Sequence, residues 1–412
     1  MTVEYRELIK DDLDRASQIE AKSFYSTPSE DRAQLLRDFF PPQWTIGAFV
    51  DGELVADVRT VPGARRINGG KTSFGLVGPV VCLAGHRRQG HVGKLLSMSL
   101  ERMREQGQAL SGLHTPHDAL YARWGWERAE GKKRYAFNPK DIQLRMHGSP
   151  GSTETVVRDD WPRLDALYRQ YAADRNGPIH RAQMWWTDSV LRDYPDDGKV
   201  RDLVTFVWIN KDGVDEGYVA YIPLESKAGG NVDDALYTQH SIFVRDFVSI
   251  SSDAYLGLWE HLLTHDLADN ILIDVAPDDP LPDLVEDPWK IQMPRSEGAM
   301  IRIVDVERAI NNRPHAGDGA ASFTMRIRDS KAPWNDDTWR LHASNDSMSI
   351  ERTGDAPDAE LTVGALAPIY TGYMRPSVAA NVGLLKINRP GVVDEMALAF
   401  AVTHPPFSND YY

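Results

Sequence analysis

The amino-acid sequence predicts a protein of the α/β class: two mixed α/β units in tandem, then a smaller α+β unit. Three observations carry this. The first stretch orders itself as helices, a β-hairpin, a strand, a helix, a strand, a helix and a strand. After a turn-rich seam at His147–Ser152 the same rhythm restarts. From about Arg302 alternating strands dominate, with only helix pieces among them. At 412 residues the chain is too long for one ordinary domain, and the expected divisions are 1–148, 149–300 and 301–412.

The elements follow in order. In DDLDRASQIEAKSFY, residues 11–25, the apolar positions Leu13, Ala16, Ile19, Ala21 and Phe24 share a helical face, and acidic residues fill the first turn. A second helix is expected over Glu30–Phe40, stopped by Pro41 and Pro42. Trp44–Val50 alternates as a strand, Asp51 and Gly52 make a hairpin turn, and Glu53–Pro62 is the partner strand. Gly69 and Gly70 turn the chain into a strand over Ser73–Leu83. A helix is expected from Gly90 to Gln106, ended at Gly107. LSGLHTPHDALYARWGWERA then holds a short strand and a helix carrying Tyr121, and Lys132–Phe137 is the closing strand.

In the second unit, Asp159–Ala173 reads as a helix with Asp159 or Asp160 as its cap and Pro162 in its first turn. Trp185 and Trp186 read as core. Strands are expected over Leu203–Ile209, Gly217–Ile222, Thr238–Arg245 and Ile271–Val275, with a helix over Ser251–Leu267. In the third, Ala321–Arg328, Asp337–Ala343, Ser347–Thr353 and Ala359–Val363 alternate as strands, and Val363–Tyr370 and Val378–Val382 are helical.

Composition narrows the function. With 42% hydrophobic residues, 26% charged residues and 11 Trp, the chain has ample material for packed cores. No apolar run approaches the roughly 18–20 residues that span a bilayer, and the N-terminus is charged, so no membrane is expected and a cytoplasmic location is. The single cysteine, Cys82, rules out an intrachain disulfide and reads as a small buried strand residue. The net charge of −14 argues against nucleic acid, which needs a basic face, and is compatible with a cationic small-molecule substrate.

One stretch organises the rest. Val80 to Leu96, VVCLAGHRRQGHVGKLL, reads as a strand running through a basic turn into a helix. Such a junction aims unpaired backbone N–H groups and the positive end of a helix dipole at one spot. Arg87 and Arg88 add fixed positive charge there. The chemistry is that of an anion site, best suited to a pyrophosphate.

The spacing Arg87-x-x-Gly90 resembles the acyl-CoA turn of the GNAT superfamily of N-acetyltransferases. The HRRQG turn, the LYARWGW segment around Tyr121 and a three-part chain ending in an aromatic residue together resemble the enhanced-intracellular-survival (Eis) acetyltransferases. Arg175–Gly177 with Trp185-Trp186, Met300–Ile310, and Ala332–Asn335 with Trp339 match as well, and the resemblance covers essentially the whole chain. It implies tandem GNAT folds, the second degenerate and without an Arg-x-x-Gly turn, followed by a sterol-carrier-protein-like domain.

The resemblance also implies roles. Acetyl-CoA would be the co-substrate. Its pantetheine arm would pair with the backbone of Val80, Val81 and Cys82, and its diphosphate would lie against Arg87, Arg88, Gly90, His91, Val92 and Gly93. Val92 stands where the general motif has a small residue, a substitution usual in this subfamily. Tyr121 would be the general acid that protonates the leaving thiolate, a phenol and a thiol being close in pKa at about 10 and 8.5. The carboxylate of Tyr412 would be the base, made effective by burial. Glu20, Ser23 and Phe24 would border the substrate cleft. The resemblance further implies a homo-hexamer, a trimer of dimers, acting on small-molecule amines such as aminoglycosides or polyamines.

His114 and His117 flank Pro116 and can line a pocket, though a structural role suits them better. His261 and His265 have i,i+4 spacing, but no third ligand stands with them, so no metal is expected. Two alternatives stay open: acetylation of a protein lysine, or a lipid- or ligand-binding protein whose acetyltransferase domain is vestigial.

Overall fold

The computed structural model describes residues 2–196, 199–224, 240–345 and 347–411. They divide into two compact units. One holds the chain through Glu130, Ala299–Val402 and Tyr411; the other holds Gly131–Gly298 and Thr403–Asp410.

The first unit begins with β1 (Val3–Glu7), α1 (Leu13–Ser23) and α2 (Glu30–Phe39), the last capped by the Ser29 hydroxyl. β2 (Thr45–Val50), β3 (Glu53–Ile67) and β4 (Gly70–Cys82) continue from β1 as an antiparallel meander. β3 and β4 run well beyond the expected strand ends, because the turn at Asn68 and Gly69 holds the two arms in register to its very base. After α3 (His91–Glu105) the chain enters β5 (Leu110–Leu113), parallel to β4, as an intervening helix requires. α4 (Asp118–Ala122) and β6 (Glu127–Arg128) follow.

The sheet order is β1-β2-β3-β4-β5, then the strand Met300–Ile303, then β6. Here the strand assignment departs from expectation. Lys133–Phe137, expected to close the first α/β unit, pairs instead with Asn270–Val275 in the second sheet. Between β5 and β6 runs Met300–Ile303, a strand not read from the sequence, which spans the expected boundary between residues 300 and 301. All four residues of that strand are buried, as a central strand covered on both faces must be.

The same unit carries a five-stranded sheet in the order Ser347–Arg352, Asp337–Ser344, Ala321–Arg328, Ala359–Thr362, Leu385–Ile387. The wholly buried helix Val363–Thr371 follows, capped by Thr362 and ended at Gly372 in the left-handed conformation. The strand Leu385–Ile387 and helix Val392–Ala399 add to the elements read from the sequence.

The second unit repeats the plan. Among the described residues its larger sheet runs Lys133–Phe137, Asn270–Val275, Ser241–Ser249, Asp215–Leu224, Val204–Asn210, Gly151–Val156, and Tyr194–Asp196 pairs separately with Lys199–Arg201. Among its described residues, only Ser241–Val244 and Asn270–Ile273 pair parallel. Thr238, where one strand was expected to begin, lies outside the described residues. The helix expected over Ser251–Leu267 ends at Leu263, and Ser251 caps it. His265 therefore falls past the helix and pairs with the Tyr221 hydroxyl at 2.8 Å, while His261 lies against Phe206.

Candidate active site

The site grows from a mismatch in strand length. β4 pairs with β5 only through Phe74, Gly75 and Leu76. Beyond that point β4 continues to Cys82 bonded to β3 alone. Its far edge, at Gly78, Pro79 and Val80, is half-open. The Leu83 amide donates to Val55 on β3 at 2.9 Å. By strand alternation Cys82, and Val80 before it, turn their backbone groups the other way, into the gap. The Cys82 carbonyl there accepts from Nε of Arg87 at 3.2 Å. The Cys82 thiol is raised in pKa by burial, so it is a packing group and not a nucleophile.

A tight turn through Ala84–His86 then reverses the chain, with Arg88 and Gly90 both in the left-handed region at φ of 64° and 89°. Gly90 is the N-cap of α3, and no side chain caps it. The first bond of the helix is Lys94 to Gly90, so the amides of His91, Val92 and Gly93 lack helical partners. Arg87 and Arg88 are exposed beside them. Anion chemistry fits: open amides, a helix dipole and two guanidinium groups converge, and no acidic side chain closes the turn.

The ring of His91 is buried and accepts or donates to the Tyr5 hydroxyl at 2.9 Å, so its side chain ties α3 to β1 and only its amide faces the turn. Burial, aided by nearby His86, lowers its pKa and keeps it neutral. Val92 is half-buried against the core beneath α3. Gly93 has a separate reason to be small. A Cβ there would stand 2.9 Å from Cζ2 of Trp124. The indole of Trp124 in the LYARWGW segment thus lies against α3, and the two sequence motifs are parts of one contact.

Tyr121 sits at the end of α4, buried, edge-on to Trp126 at 6.5 Å. Its carbonyl accepts from the Trp124 amide at 2.8 Å. Burial alone raises its phenol to about 12. The segment is fixed from both ends. Arg128 grips Asp118, at the start of α4, through Nε and Nη2, both at 2.7 Å. Gly125, at φ 82°, leaves no room for a side chain, since a Cβ there would stand 3.0 Å from both Arg302 and Val363, and Arg302 is itself buried on Asp329 at 2.6 Å.

His114 follows β5 and stacks on Tyr411, ring centres 4.6 Å apart. Tyr412 lies outside the described residues.

Glu20 was expected to border the substrate cleft, but the charged residues packed around it were not foreseen. Glu20 on α1 is buried and accepts from Arg59 on β3 and from Arg32 on α2. Arg59 also reaches the Thr45 hydroxyl. Beside them Asp57 is fully buried, with no hydrogen bond to either carboxyl oxygen. Burial, with the negative Glu20 nearby, drives its pKa well up, against a smaller pull from Arg59. The signal was present: a carboxylate in the middle of the apolar strand ELVADV. Ser23 is half-buried and Phe24 exposed on the same helix α1. His117 is exposed at the start of α4.

Residues 4–129 match the acetyltransferase (GNAT) domain family, residues 177–303 a second acetyltransferase (GNAT) domain family, and residues 306–408 the sterol carrier protein domain family. An uncharacterised N-acetyltransferase of Streptomyces coelicolor is 24% identical over 99% of both chains. The N-acetyltransferase Eis of Mycobacterium tuberculosis is 24% identical, over 91% of this chain and 88% of its own. Among solved structures, Eis1 from Mycobacterium abscessus superposes with a TM-score of 0.82 at 25% identity, covering 99% of this chain and 100% of its own. A GCN5-related N-acetyltransferase from Anabaena variabilis does so with a TM-score of 0.88 at 18% identity over the full length of both.

Proposed function

Because the chain belongs to the Eis-like family of GNAT N-acetyltransferases, we propose that it acetylates primary amines from acetyl-CoA by direct attack, with no acyl-enzyme. The observation that carries this reading is the β4–α3 junction: a strand that outruns its parallel partner and ends in an uncapped helix start beside two arginines.

Acetyl-CoA supplies the acetyl group as an activated thioester. Backbone groups of Val80 and Cys82 would bind its arm along the open edge of β4 and polarise the acyl oxygen, while Val81, expected from the resemblance to join them, has its backbone groups turned by the same alternation toward β3. The amides of His91, Val92 and Gly93, with Arg87, Arg88 and the bend at Gly90, hold the diphosphate. Arg87 is oriented for this by its Nε bond to Cys82. The amine nitrogen forms its bond to the acyl carbon as the C–S bond breaks. The Tyr412 carboxylate takes the amine proton, and Tyr121 donates to the departing sulfur. The acceptors are small amines, aminoglycosides or polyamines among them, and the working assembly is a hexamer.

The test is direct. Arg87→Ala with Arg88→Ala weakens CoA binding by about tenfold or more in calorimetry, in line with two charged contacts to phosphate. A panel of amines with acetyl-CoA, read by mass spectrometry, gains 42 Da on at least one primary amine, the increment being roughly that of an acetyl group replacing a hydrogen. Undiminished CoA binding by the double variant, or no acetylated amine, would remove the proposal.

A further inference from the structure

The second acetyltransferase fold keeps a splayed pair of strands and reverses the charge around it. Its strand Ser241–Ser249 pairs parallel with Asn270–Val275 only as far as Val244 and Ile273. Beyond that point the two part, as β4 and β5 do after Leu76 and Gly112. The next helix, Ser252–Leu263, does not have an open start. The Ser251 hydroxyl accepts from the Ala254 amide at 3.1 Å and donates to the Glu216 carboxylate at 2.6 Å, and Asp253 adds a negative charge in the first turn. A phosphate would be repelled where the first fold offers open amides.

Where the strands part lies a cavity of about 190 Å³. That is small beside the roughly 300–1,000 Å³ of pockets for drug-sized ligands. Asp246, Phe247 and Ser249 line it from one strand, Asp274 and Val275 from the other. A further wall is the segment Phe407–Asn409, which belongs to the same unit. The Phe407 amide donates to the Asn176 carbonyl at 2.9 Å, and the Asn409 side-chain amide to the Arg245 carbonyl at 2.5 Å. Asn176 in turn donates to the His404 carbonyl, and Trp185 to Asp410, both at 2.7 Å.

The lining carboxylates fall into two pairs. Asp246 is matched by Arg181 at 2.6 Å, and Asp274 by Arg134 at 2.7 Å. Asp278 and Asp279 have no such guanidinium or ammonium partner among the described residues. Asp278 meets the His404 ring at 3.3 Å. Asp279 is held by neutral donors, the Tyr255 hydroxyl at 3.0 Å and the Leu281 amide at 3.1 Å. Burial raises the Asp279 carboxyl, outweighing these hydrogen bonds and the pull of Lys133. Facing the two aspartates is Arg175, which lies over the Tyr171 ring at 4.4 Å and has no carboxylate partner among the described residues. Two carboxylates thus share one guanidinium. A largely buried carboxylate without a counter-charge is costly, and a ligand can supply what is missing.

The rest of the lining suits a cation with an apolar body. Tyr171, Phe247 and Tyr255 offer ring surface, which attracts cations as well as hydrocarbon. Among the described residues the Tyr171 hydroxyl makes no hydrogen bond, and burial pushes its phenol up to about 12. It stands in the wall as a neutral group with a free lone pair.

We propose that this cavity binds a small primary amine as its ammonium, with Asp279 and Asp278 as counter-charge, the three rings around the hydrocarbon part and the Tyr171 hydroxyl as a further acceptor. The site lies wholly within the second unit, and it does not rest on the acetyl-transfer reading above. It is a place of binding and not a second centre of acetyl transfer, because Ser251 closes the helix start that would take a diphosphate.

The experiment titrates the full chain, free of acetyl-CoA, with n-butylamine hydrochloride and with n-butanol, its uncharged counterpart. Calorimetry gives the affinity, and hydrogen exchange read by mass spectrometry gives the place. Expected is saturable binding of the amine, with slowed exchange over residues 245–250 and 275–282, and no binding of the alcohol. Asp279→Asn keeps the shape and removes the charge, and should weaken the amine about tenfold or more. Tyr171→Phe removes a hydroxyl that no described residue uses. It should leave Tm unchanged and weaken the amine roughly threefold or more. Butanol binding as well as the amine, or no saturable amine binding, overturns the proposal. So does amine binding that leaves those two segments unprotected or keeps its affinity in both variants. Should Asp279→Asn fail to fold, Tyr171→Phe decides alone, and parental affinity in that variant overturns the proposal.

Discussion

Replacing Tyr121 by Phe tests the chemistry most sharply. The phenol is pushed to about 12 by burial, against an ordinary value of 10.0. That difference makes the phenolate about 2.7 kcal/mol harder to form than in water. It also alters the balance of proton transfer. An ordinary thiol at about 8.5 would leave transfer from this phenol uphill by roughly 5 kcal/mol. On the proposed reading, Tyr121 would donate to sulfur while the C–S bond is still breaking, and would not neutralise a thiolate already released to water. Losing that donor should cut kcat roughly 10²–10⁴-fold with little change in the acetyl-CoA KM. Raising the pKa of an acid extends the range over which it keeps its proton. The parent enzyme should accordingly show no loss of kcat attributable to Tyr121 below about pH 11, given the value near 12. Steady-state kinetics from pH 6 to 11, with the thiol product followed by a disulfide reagent insensitive to pH after quenching, gives the answer. Full turnover in Tyr121→Phe refutes the assignment. A basic limb near pH 10 that disappears in the variant refutes the burial argument.

Two further outcomes follow from packing and charge. Gly93→Ala brings a methyl to 2.9 and 3.1 Å from the Trp124 ring; overpacking of this kind costs about 1–3 kcal/mol, and because the Trp124 amide is bonded to the Tyr121 carbonyl, kcat should fall together with Tm. A Gly93→Ala chain equal to the parent in both would show that the indole yields freely. Asp57 has a raised folded-state pKa, so its protonated form is favoured in the fold. The stability this lends is full below the unfolded carboxylate value near 4 and is lost as pH rises toward the folded value, at up to about 1.4 kcal/mol per pH unit. Asp57→Asn removes that slope. Glu20, Arg59 and, through Glu20, Arg32 are the charged neighbours that share the effect. Thermal unfolding between pH 4 and 8 should show the variant gaining on the parent as pH rises, and parallel curves would contradict this.

Much of the candidate site could be proposed from the sequence because its parts are local. The turn from Cys82 to Gly93 is one continuous stretch whose glycine and arginines have few other uses, and Tyr121 sits in a short aromatic segment of its own. The longer alternating strands were legible too, since alternation is a property of each segment, whereas Val3–Glu7, Gly151–Val156 and Met300–Ile303 were not read. Sheet membership was not. Lys133–Phe137 and Met300–Ile303 are both short apolar strands, and nothing in their composition says which edge each will join. Asp57 was passed over for a different reason: its neighbours in sequence give an ordinary strand, and its burial depends on Glu20 and α1 packing over it from elsewhere in the chain. Arg175–Gly177 and Trp185 were noticed as motifs, but their partner, residues 404–410, lies at the far end of the chain, so their use could not be read from spacing.

The strand Met300–Ile303 also bears on how the protein is made. Until residue 303 has left the ribosome, β5 and β6 have no common neighbour, and the nascent first sheet must wait with two unpaired edges. Contacts of such long sequence separation form late and slow folding. A shortened chain ending at the seam near residue 148 would keep the HRRQG turn and the Tyr121 segment and still lack the strand that joins its sheet, leaving a sticky edge prone to aggregation. The smallest piece able to hold the acetyl-CoA turn and Tyr121 in one sheet is therefore set by Ile303, more than twice as far along the chain as the seam at residue 148.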